Sequence, residues 1–535
     1  MIKQFNTWLL KAIFLVALIP LVLTLLMTLA PDALALLLIG LVLFWAPARR
    51  FVGSIIKGLL KGTGRAAWGG TKLAAKGAYA TGKFLINGPD KSIARFMPPH
   101  RKWWWFDGSG RGFLVDGHTT RLPLEATYQG SILQGGMGMG KSSRFIIPNL
   151  LQLPADKPSF VISDTSGEIF EKTSGYLERQ GYEVRAFNLL DVAHSHTYNP
   201  LIACQSGSDV AELAKILVTA SSGNQGRSGG DPFWNQAAEK LIRIMAQCLL
   251  NQSDDQFKNL ANLRHLVMSF DAHQVPTGTL SKIDQFVLLA TQNDMPTYTA
   301  YKALVGGNYK TLQSVLMSAD VALDPLAAPE IGQITAGSSL DFKDLRQRPT
   351  ALYLMVNQTQ IPLYRFLLNL IYKQLFSALL QDEKNPGHPV WLLLDEFGHF
   401  QVGGFEVIAT TARKYKVAIH LALQSSVQLE QQYGHHGAKI IRDGLGNQIY
   451  LPGLNLDEAR AISGRLGQQG KTCLMTADEI IRMKDNRALL LSSNQDPVRL
   501  KTHAYFKSSD MRKRAKMTPA QLPTLTTGHA PLIQL

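Results

Sequence analysis

A glycine-rich loop constrains the fold of this chain more than any other feature of its sequence. Two glycines stand five positions apart and are followed by lysine and serine, as the P-loop pattern requires. The stretch reads Gly135-Gly136-Met137-Gly138-Met139-Gly140-Lys141-Ser142. A short apolar run at 131–134 precedes it, and residues 143–151 can form a helix. The P-loop pattern is specific only where it lies between a strand and a helix. The segments on both sides of this loop therefore predict an α/β domain built around it.

The same loop predicts a binding site for ATP and Mg²⁺. Glycines allow backbone N–H groups to turn inward and surround phosphate oxygens. Lys141 is expected to reach the β- and γ-phosphates, and the Ser142 hydroxyl is expected to hold Mg²⁺. The predicted nucleotide-binding residues therefore run from Gly135 to Ser143. A chance glycine-rich turn is the alternative interpretation, and the strand and helix around the loop argue against it.

A second part of the site is predicted where an apolar run at 390–394 ends in two acidic residues. Such a run is typical of a buried parallel strand, and α/β proteins bind ligands at the carboxyl ends of these strands. Asp395 is expected to hold Mg²⁺ through water, opposite Ser142. Glu396 is expected to orient or activate the attacking water.

Two further residues are candidates for catalysis. Gln424 ends a strand-like run at 421–423, where it is either a sensor of the γ-phosphate or an ordinary surface residue. Arg413 precedes that run and is either a surface cation or an arginine finger that serves a neighbouring subunit. The sequence predicts no metal site besides that of Mg²⁺, because the remaining candidate ligands lack suitable spacing. These are His399, His435, His436, Cys204, Cys248 and Cys473, and we interpret the histidines as surface or structural residues.

Strand-like and helix-like segments alternate from residue 130 onward, which is typical of an α/β fold. The predicted strands are 131–134, 159–163, 184–187, 351–356, 390–394, 417–423, 447–451 and 488–491. Between 207 and 335 the strand signal disappears and apolar residues recur at helical spacing, which predicts an all-helical inserted domain. The α/β domain is then formed by 101–206 and 336–510. Residues 511–535 are expected to form a C-terminal tail whose Pro/Thr-rich part after Lys516 is poorly ordered, and the glycine-rich loop 223–230 is expected to be mobile.

The first 50 residues predict a membrane anchor. Residues 12–30 are uncharged and mostly apolar over a length that can span a bilayer, and a shorter apolar run follows at 33–46. The positive-inside rule places both ends of this anchor, and the domains after it, in the cytoplasm. Two alternatives are a cleaved signal peptide and a single span followed by a re-entrant or interfacial segment.

Most of the net charge of +15 follows the anchor. Twelve Lys or Arg and one acidic residue, Asp90, lie between Arg49 and Lys102. This charge predicts that residues 51–100 form a basic juxtamembrane stem, which lies on the anionic headgroups of the membrane. The alternative is that the stem contacts DNA.

The order of further motifs resembles the type IV secretion coupling proteins, the TraG/TraD-like conjugative DNA-transfer ATPases. After the anchor and the loop, these motifs are at 146–151, 164–168, 198–201, 233–234, 394–397, 423–425, 451–453 and 505–506. The chain departs from the family at Ser166, where lysine is usual, and in the almost absent loop between its two membrane segments. It also lacks an obvious acidic extension at the tail.

The resemblance implies a RecA-like P-loop NTPase that forms a homo-hexamer at the bacterial inner membrane. Its catalytic residues in this chain would be Lys141, Glu396, Arg413 and Gln424. It would receive a relaxase–DNA complex, hydrolyse ATP and pass the DNA to the channel proteins of a type IV secretion system. Contacts with single-stranded DNA would be mostly to phosphates and therefore sequence-tolerant. The alternatives are a receptor for secreted proteins that uses ATP as a switch, and an FtsK-like DNA translocase.

Overall fold

A nine-stranded sheet lies at the centre of the part of the chain that the structure describes. This computed structural model describes residues 94–221, 232–270, 280–399, 401–469, 472–525 and 531–535. The strands of the sheet and of a separate hairpin (β8 and β9) are β1 (Ser131–Gln134), β2 (Ser159–Asp164), β3 (Glu183–Asn188), β4 (Thr350–Met355), β5 (Val390–Leu394), β6 (Val417–Leu423), β7 (Asn447–Tyr450), β8 (Gln468–Gln469), β9 (Thr472–Cys473), β10 (Arg487–Ser492) and β11 (Val498–Lys501). Their order in the sheet is β11-β10-β7-β1-β6-β5-β2-β4-β3.

The seven neighbouring strands β7, β1, β6, β5, β2, β4 and β3 pair in parallel. At the edge next to β7, β10 pairs antiparallel with both β7 and β11. All residues of β1, β2, β4, β5, β6 and β7 are buried, and β5 is apolar along its whole length, as expected for a parallel strand covered on both faces. Along β2, Val161 belongs to one buried apolar cluster and Phe160 and Ile162 belong to the other, so both faces of the sheet are covered.

All eight predicted strands are present, and the mixed α/β fold with a parallel sheet is confirmed. The sequence prediction missed β11 and the β8–β9 hairpin. In β11, residues alternate between buried and exposed, as expected for an edge strand.

Helices cover the sheet and form a second region of their own. The helices before that region are α1 (Pro99–Trp105), α2 (Leu124–Tyr128), α3 (Ile147–Leu151) and α4 (Glu168–Arg179). The helical region contains α5 (Gly207–Ser221), α6 (Pro232–Leu250), α7 (Leu260–Met268), α8 (Lys282–Ala290), α9 (Met295–Val305), α10 (Tyr309–Leu323) and α11 (Pro329–Ile334). The helices after it are α12 (Asp344–Gln347), α13 (Ile361–Leu379), α14 (Phe405–Thr411), α15 (Ser426–Gly444), α16 (Leu456–Leu466), α17 (Ala477–Ile481) and α18 (Ser509–Ala515).

The helical region shares its apolar core with the α/β part. Leu241 of α6 and Val315 of α10 belong to the same buried cluster as Val161 and Leu392 of the sheet. Side-chain caps define where several of its helices begin, because Asn259, Ser281, Asp294 and Asn308 accept hydrogen bonds from backbone N–H groups of α7, α8, α9 and α10.

The described residues of the tail after Lys516 contact the α/β part, contrary to the expectation that they are poorly ordered. Helix α18 ends at Ala515, and the Ala520 N–H then donates to Ser174 Oγ at 3.1 Å. The backbone of Thr518 lies so close to Gly175 that a Cβ there would be 1.8 Å from the Thr518 carbonyl oxygen. The small residues of α4 therefore provide a surface on which this segment packs.

The predicted membrane anchor, most of the predicted stem and the loop 223–230 lie outside the described residues. Within the described ranges, every helix is too short or too polar to cross a membrane. The last residues of the predicted stem belong to the α/β unit, since Met97 is buried and its N–H donates to the Pro497 carbonyl oxygen at 2.8 Å.

Candidate nucleotide-binding site

The glycine-rich loop turns tightly between β1 and the following helix. Gly138 and Gly140 have φ angles of +73° and +82°, which residues with side chains rarely adopt. A Cβ on Gly136 would be 2.8 Å from the carbonyl oxygen of Gly453, so this position also requires glycine. The Met137 side chain is 79% exposed.

The other predicted loop residues support the turn from within. A Cβ on Gly135 would be 2.6 Å from Leu451 Cβ, which places this residue close to the end of β7. Met139 is partly buried against the apolar cluster on one face of the sheet. Ser143 Oγ donates to the Gly140 carbonyl oxygen at 3.4 Å, at the start of the helix.

Lys141 points into the loop and is only 7% exposed. Its Nζ donates to the carbonyl oxygen of Gly135 at 3.2 Å and lies 3.7 Å from Glu396 Oε1. The ammonium group is therefore held between the loop backbone and a carboxylate, at the carboxyl edge of the sheet.

Ser142 and Asp395 are in direct contact although they come from different strand–loop units. Ser142 Oγ donates to Asp395 Oδ2 at 2.5 Å, whereas Asp395 Oδ1 is buried without a hydrogen-bond partner among the described residues. Burial and the neighbouring Glu396 raise the pKa of Asp395 to about 6, against the hydrogen bond from Ser142 and the charge of Lys141. A hydroxyl beside a buried, unpartnered carboxyl oxygen fits a hard cation with oxygen ligands, such as Mg²⁺.

Glu396 has an unusual backbone conformation and a well-defined side-chain position. Its φ of +54° lies in the left-handed region, which costs energy for a residue other than glycine. Gln424 Nε2 donates to both carboxylate oxygens at 3.2 Å, and His399 Nε2 lies 3.4 Å from Oε2. Burial alone would raise the pKa of Glu396, but hydrogen bonds from His399 and Gln424 and the charge of Lys141 lower it. Glu396 is therefore ionised at neutral pH.

His399, which the sequence suggested to be a surface or structural residue, belongs to this site. It ends the short turn Phe397–His399, and its Nε2 lies 2.7 Å from the side-chain nitrogen of Gln358, which follows β4. Its position three residues after Glu396 is the signal that sequence reasoning missed.

Glu458 is a second residue that sequence reasoning missed. It is 8% exposed at the start of α16, and its Oε1 accepts hydrogen bonds from Gln134 Nε2 at 2.6 Å and from the Ser426 N–H at 3.0 Å. This carboxylate joins the ends of β1 and β6. A contact over 324 residues leaves no signal in local spacing.

Arg413 is exposed and lies apart from the other candidate catalytic residues. It belongs to the turn Ala412–Tyr415 at the amino end of β6, whereas Gln424 follows the carboxyl end. Seven strand residues separate the two ends by about 23 Å. The structure thus brings together Lys141, Ser142, Asp395, Glu396 and Gln424, and leaves Arg413 on the opposite edge of the sheet.

The fold and the site together define a class of protein. A glycine-rich loop after a central parallel strand, an acidic pair after β5 and a glutamine after β6 meet at one edge of the sheet, as in P-loop NTPases. Residues 75–472 and 468–524 match the family model described as "Type IV secretory system Conjugative DNA transfer", so the chain belongs to that family.

Individual relatives are distant. The chain is 23% identical to Protein VirD4 of Rhizobium radiobacter over 431 residues, which cover 72% of this chain and 58% of that protein. It is 21% identical to the type IV secretion system-coupling protein VirD4 of Bartonella quintana over 496 residues, which cover 84% of this chain and 74% of that protein. The aligned part thus spans less than two thirds of the length of the Rhizobium radiobacter relative.

Solved structures confirm the fold. The plasmid coupling protein TrwB in complex with ADP and Mg²⁺ has a TM-score of 0.57 and 14% identity, with 81% of this chain and 95% of that chain covered. TrwB in complex with a non-hydrolysable ATP analogue has a TM-score of 0.58 and 15% identity, with 82% and 98% covered.

Proposed function

We propose that this chain is the coupling ATPase of a type IV secretion system, which hydrolyses ATP to pass single-stranded DNA with its bound relaxase to the secretion channel. The observation that carries the proposal is the contact between Ser142 and Asp395, with Lys141 and Glu396 beside it. Ser142 and Asp395 are 253 positions apart in sequence. Together the four residues place a cation, two carboxylates and a hydroxyl at one point, as phosphoryl transfer requires.

The loop and Lys141 bind the triphosphate. Backbone N–H groups of residues 136–140 surround phosphate oxygens, and the Lys141 ammonium leaves Glu396 for the terminal phosphates. Ser142 and Asp395 would hold Mg²⁺, which when bound neutralises charge on the phosphates. A bound cation would also favour the ionised form of Asp395 despite its burial.

Glu396 is the proposed general base. Its lowered pKa keeps it ionised at neutral pH, so it can accept a proton from the attacking water. Gln424 donates to both of its oxygens and holds the carboxylate in place. Because Gln424 directly follows β6, whose last residue Leu423 accepts a hydrogen bond from the Gly135 N–H of the loop, it is also positioned to respond to the γ-phosphate.

The partners and the location of the chain are part of the same proposal. Membership of the conjugative DNA-transfer family supports a relaxase–DNA substrate and a type IV secretion channel as partners. We infer anchoring in the bacterial inner membrane through residues 1–50, with both termini and the ATPase in the cytoplasm. We also infer a homo-hexamer, in which Arg413 would act on the site of a neighbouring subunit because it lies far from its own.

The test is ATP hydrolysis by the full chain in detergent, with and without single-stranded DNA. We expect DNA to stimulate hydrolysis, and Lys141→Ala to reduce it at least about a hundredfold. Glu396→Gln should lower the rate by about 10²–10⁴ while ATP still binds. Lys172→Ala, which changes a lysine paired with Glu171 on α4, is the matched control and should leave the rate unchanged. Hydrolysis that survives Lys141→Ala would overturn the assignment.

A receptor for secreted proteins is the second candidate function. The helical region exposes apolar side chains in succession: Met317 and Val321, one turn apart on α10, are 67% and 65% exposed. Exposed apolar patches mark surfaces for protein contact. Binding of a secreted protein that Met317→Glu abolishes, together with hydrolysis that DNA fails to stimulate, would favour this function over DNA transfer.

A further inference from the structure

Residues 531–535 lie in a groove of the helical region beside α7. Ile533 is buried at 9% exposure and Leu535 is partly buried against the same apolar cluster, whereas Leu532 between them is 51% exposed. Side chains that alternate in this way belong to an extended segment with one face on the protein. The groove therefore takes apolar side chains at positions two residues apart.

One asparagine side chain binds the backbone of this segment at two points. Asn262 Nδ2 donates to the carbonyl oxygen of Pro531 at 2.9 Å, and Asn262 Oδ1 accepts from the Ile533 N–H at 2.8 Å. His265 Nε2 lies 3.1 Å from the Ile533 carbonyl oxygen. Because a carbonyl oxygen can only accept a hydrogen bond, His265 Nε2 is the donor. These contacts recognise an extended main chain, while the buried position of residue 533 selects its side chain.

The asparagine is oriented by the helical region itself. Asn262 is fully buried, and both its N–H and its Nδ2 donate to Oδ1 of Asn259, at 2.9 and 3.2 Å. Asn259 is the residue that caps α7. A buried amide with a fixed orientation is costly to leave without partners, so the groove is built to hold an extended segment.

The segment before it is attached to the α/β part. The Ala520 N–H donates to Ser174 Oγ at 3.1 Å, and the Leu525 N–H donates to the Ala193 carbonyl oxygen at 2.7 Å. The same stretch of chain is thus fixed to the α/β part before residue 526 and to the helical region after residue 530. When residues 531–535 occupy the groove, they tie the two regions together.

We propose that the groove beside α7 is a binding site for an extended peptide with apolar side chains two residues apart. Residues 531–535 occupy it as an intramolecular latch, and a peptide of the same chemistry displaces them. This site lies apart from the nucleotide site, and the inference holds whether or not the chain hydrolyses ATP.

The test uses the full chain with Ile533→Asp, which places a charge at the buried position and empties the groove. A fluorescein-labelled Pro-Leu-Ile-Gln-Leu peptide is titrated, and its binding is followed by fluorescence anisotropy. The variant is expected to bind the peptide about tenfold more tightly than the unchanged chain, because a tethered segment at an effective concentration of about 1 mM weakens the apparent affinity about tenfold when the Kd of the peptide is about 0.1 mM. A chain that ends after Leu525 empties the groove in a second way and should behave like the variant.

The controls separate a peptide site from a general loss of structure. Leu532→Asp changes the exposed neighbour and should bind the peptide as weakly as the unchanged chain does. Addition of Asn262→Leu to Ile533→Asp should abolish binding, and so should a peptide with Asp in place of its Ile. The proposal is overturned if neither emptied chain binds the peptide more tightly than the unchanged chain, or if Asn262→Leu leaves binding intact.

Discussion

The buried carboxyl group of Asp395 predicts that the candidate site opposes folding at neutral pH. Burial beside Glu396 raises the pKa of Asp395 from an ordinary value of 3.8 to about 6. Between about pH 4 and pH 6 the folded chain retains a proton that the unfolded chain releases, so stability falls as the pH rises through this window. The difference between the pKa of about 6 in the folded chain and 3.8 in the unfolded chain lowers the free energy of unfolding by about 3 kcal/mol above pH 6.

Asp395→Asn removes the charge and keeps the shape of the side chain. The amide oxygen can still accept the hydrogen bond from Ser142 Oγ. We therefore expect the variant to be more stable than the unchanged chain at pH 7.5 by up to about 3 kcal/mol, and to show almost no gain at pH 4. The assay is unfolding of the full chain in denaturant with a chelator present, measured at both pH values. Addition of Mg²⁺ and ATP should stabilise the unchanged chain and leave the variant unchanged.

Asp320→Asn is the matched control, because Asp320 is exposed on α10. It should alter the free energy of unfolding by less than about 0.5 kcal/mol at either pH. The reasoning is refuted if Asp395→Asn is no more stable at pH 7.5 than the unchanged chain, or if its gain is as large at pH 4.

Three further predictions concern the loop, the general base and the proposed finger. Gly453→Ala places a Cβ 3.1 Å from Gly136 Cα at a φ of +82° and should weaken ATP binding at least about tenfold in a titration, whereas Gly464→Ala, with open space around it, should leave affinity unchanged. Gln424→Ala frees the Glu396 carboxylate, and we expect a fall in hydrolysis rate of about tenfold with unchanged ATP affinity; a changed affinity alone would contradict this. Arg413→Ala should leave ATP binding intact and lower DNA-stimulated hydrolysis by about a thousandfold, and full stimulation in the variant would exclude the finger.

The central strands were predictable because burial on both faces leaves a strong local signal. The run Val390–Leu394 has one environment along its whole length, so its sequence is uniformly apolar. The two-residue strands Gln468–Gln469 and Thr472–Cys473 are exposed, and no apolar pattern marks them. The order of the tail depends on complementarity with Gly175, which lies more than 340 residues earlier and which no local pattern reports.

The residues of the site were predictable only where they lie next to one another in the sequence and form a recognisable motif. The loop at 135–142 and the acidic pair at 395–396 are each contiguous in sequence, so their motifs are visible without a structure. The roles of His399 and Glu458 depend on which strand ends meet at the edge of the sheet. Those contacts follow from the strand order, which a single sequence does not specify.

The site and the helical region are joined by one contiguous series of contacts. Glu396 contacts His399, His399 contacts Gln358, and Gln358 stands just before α13. From α13, Gln374 Oε1 accepts a hydrogen bond from the Tyr198 hydroxyl at 2.7 Å, at the point where the chain approaches the helical region. Contiguity by itself transmits nothing, since coupling requires an element with two arrangements that both sites bias. We propose that Glu396 is such an element, because a triphosphate bound by Lys141 would break the Lys141–Glu396 ion pair and leave the position of the carboxylate to Gln424 and His399.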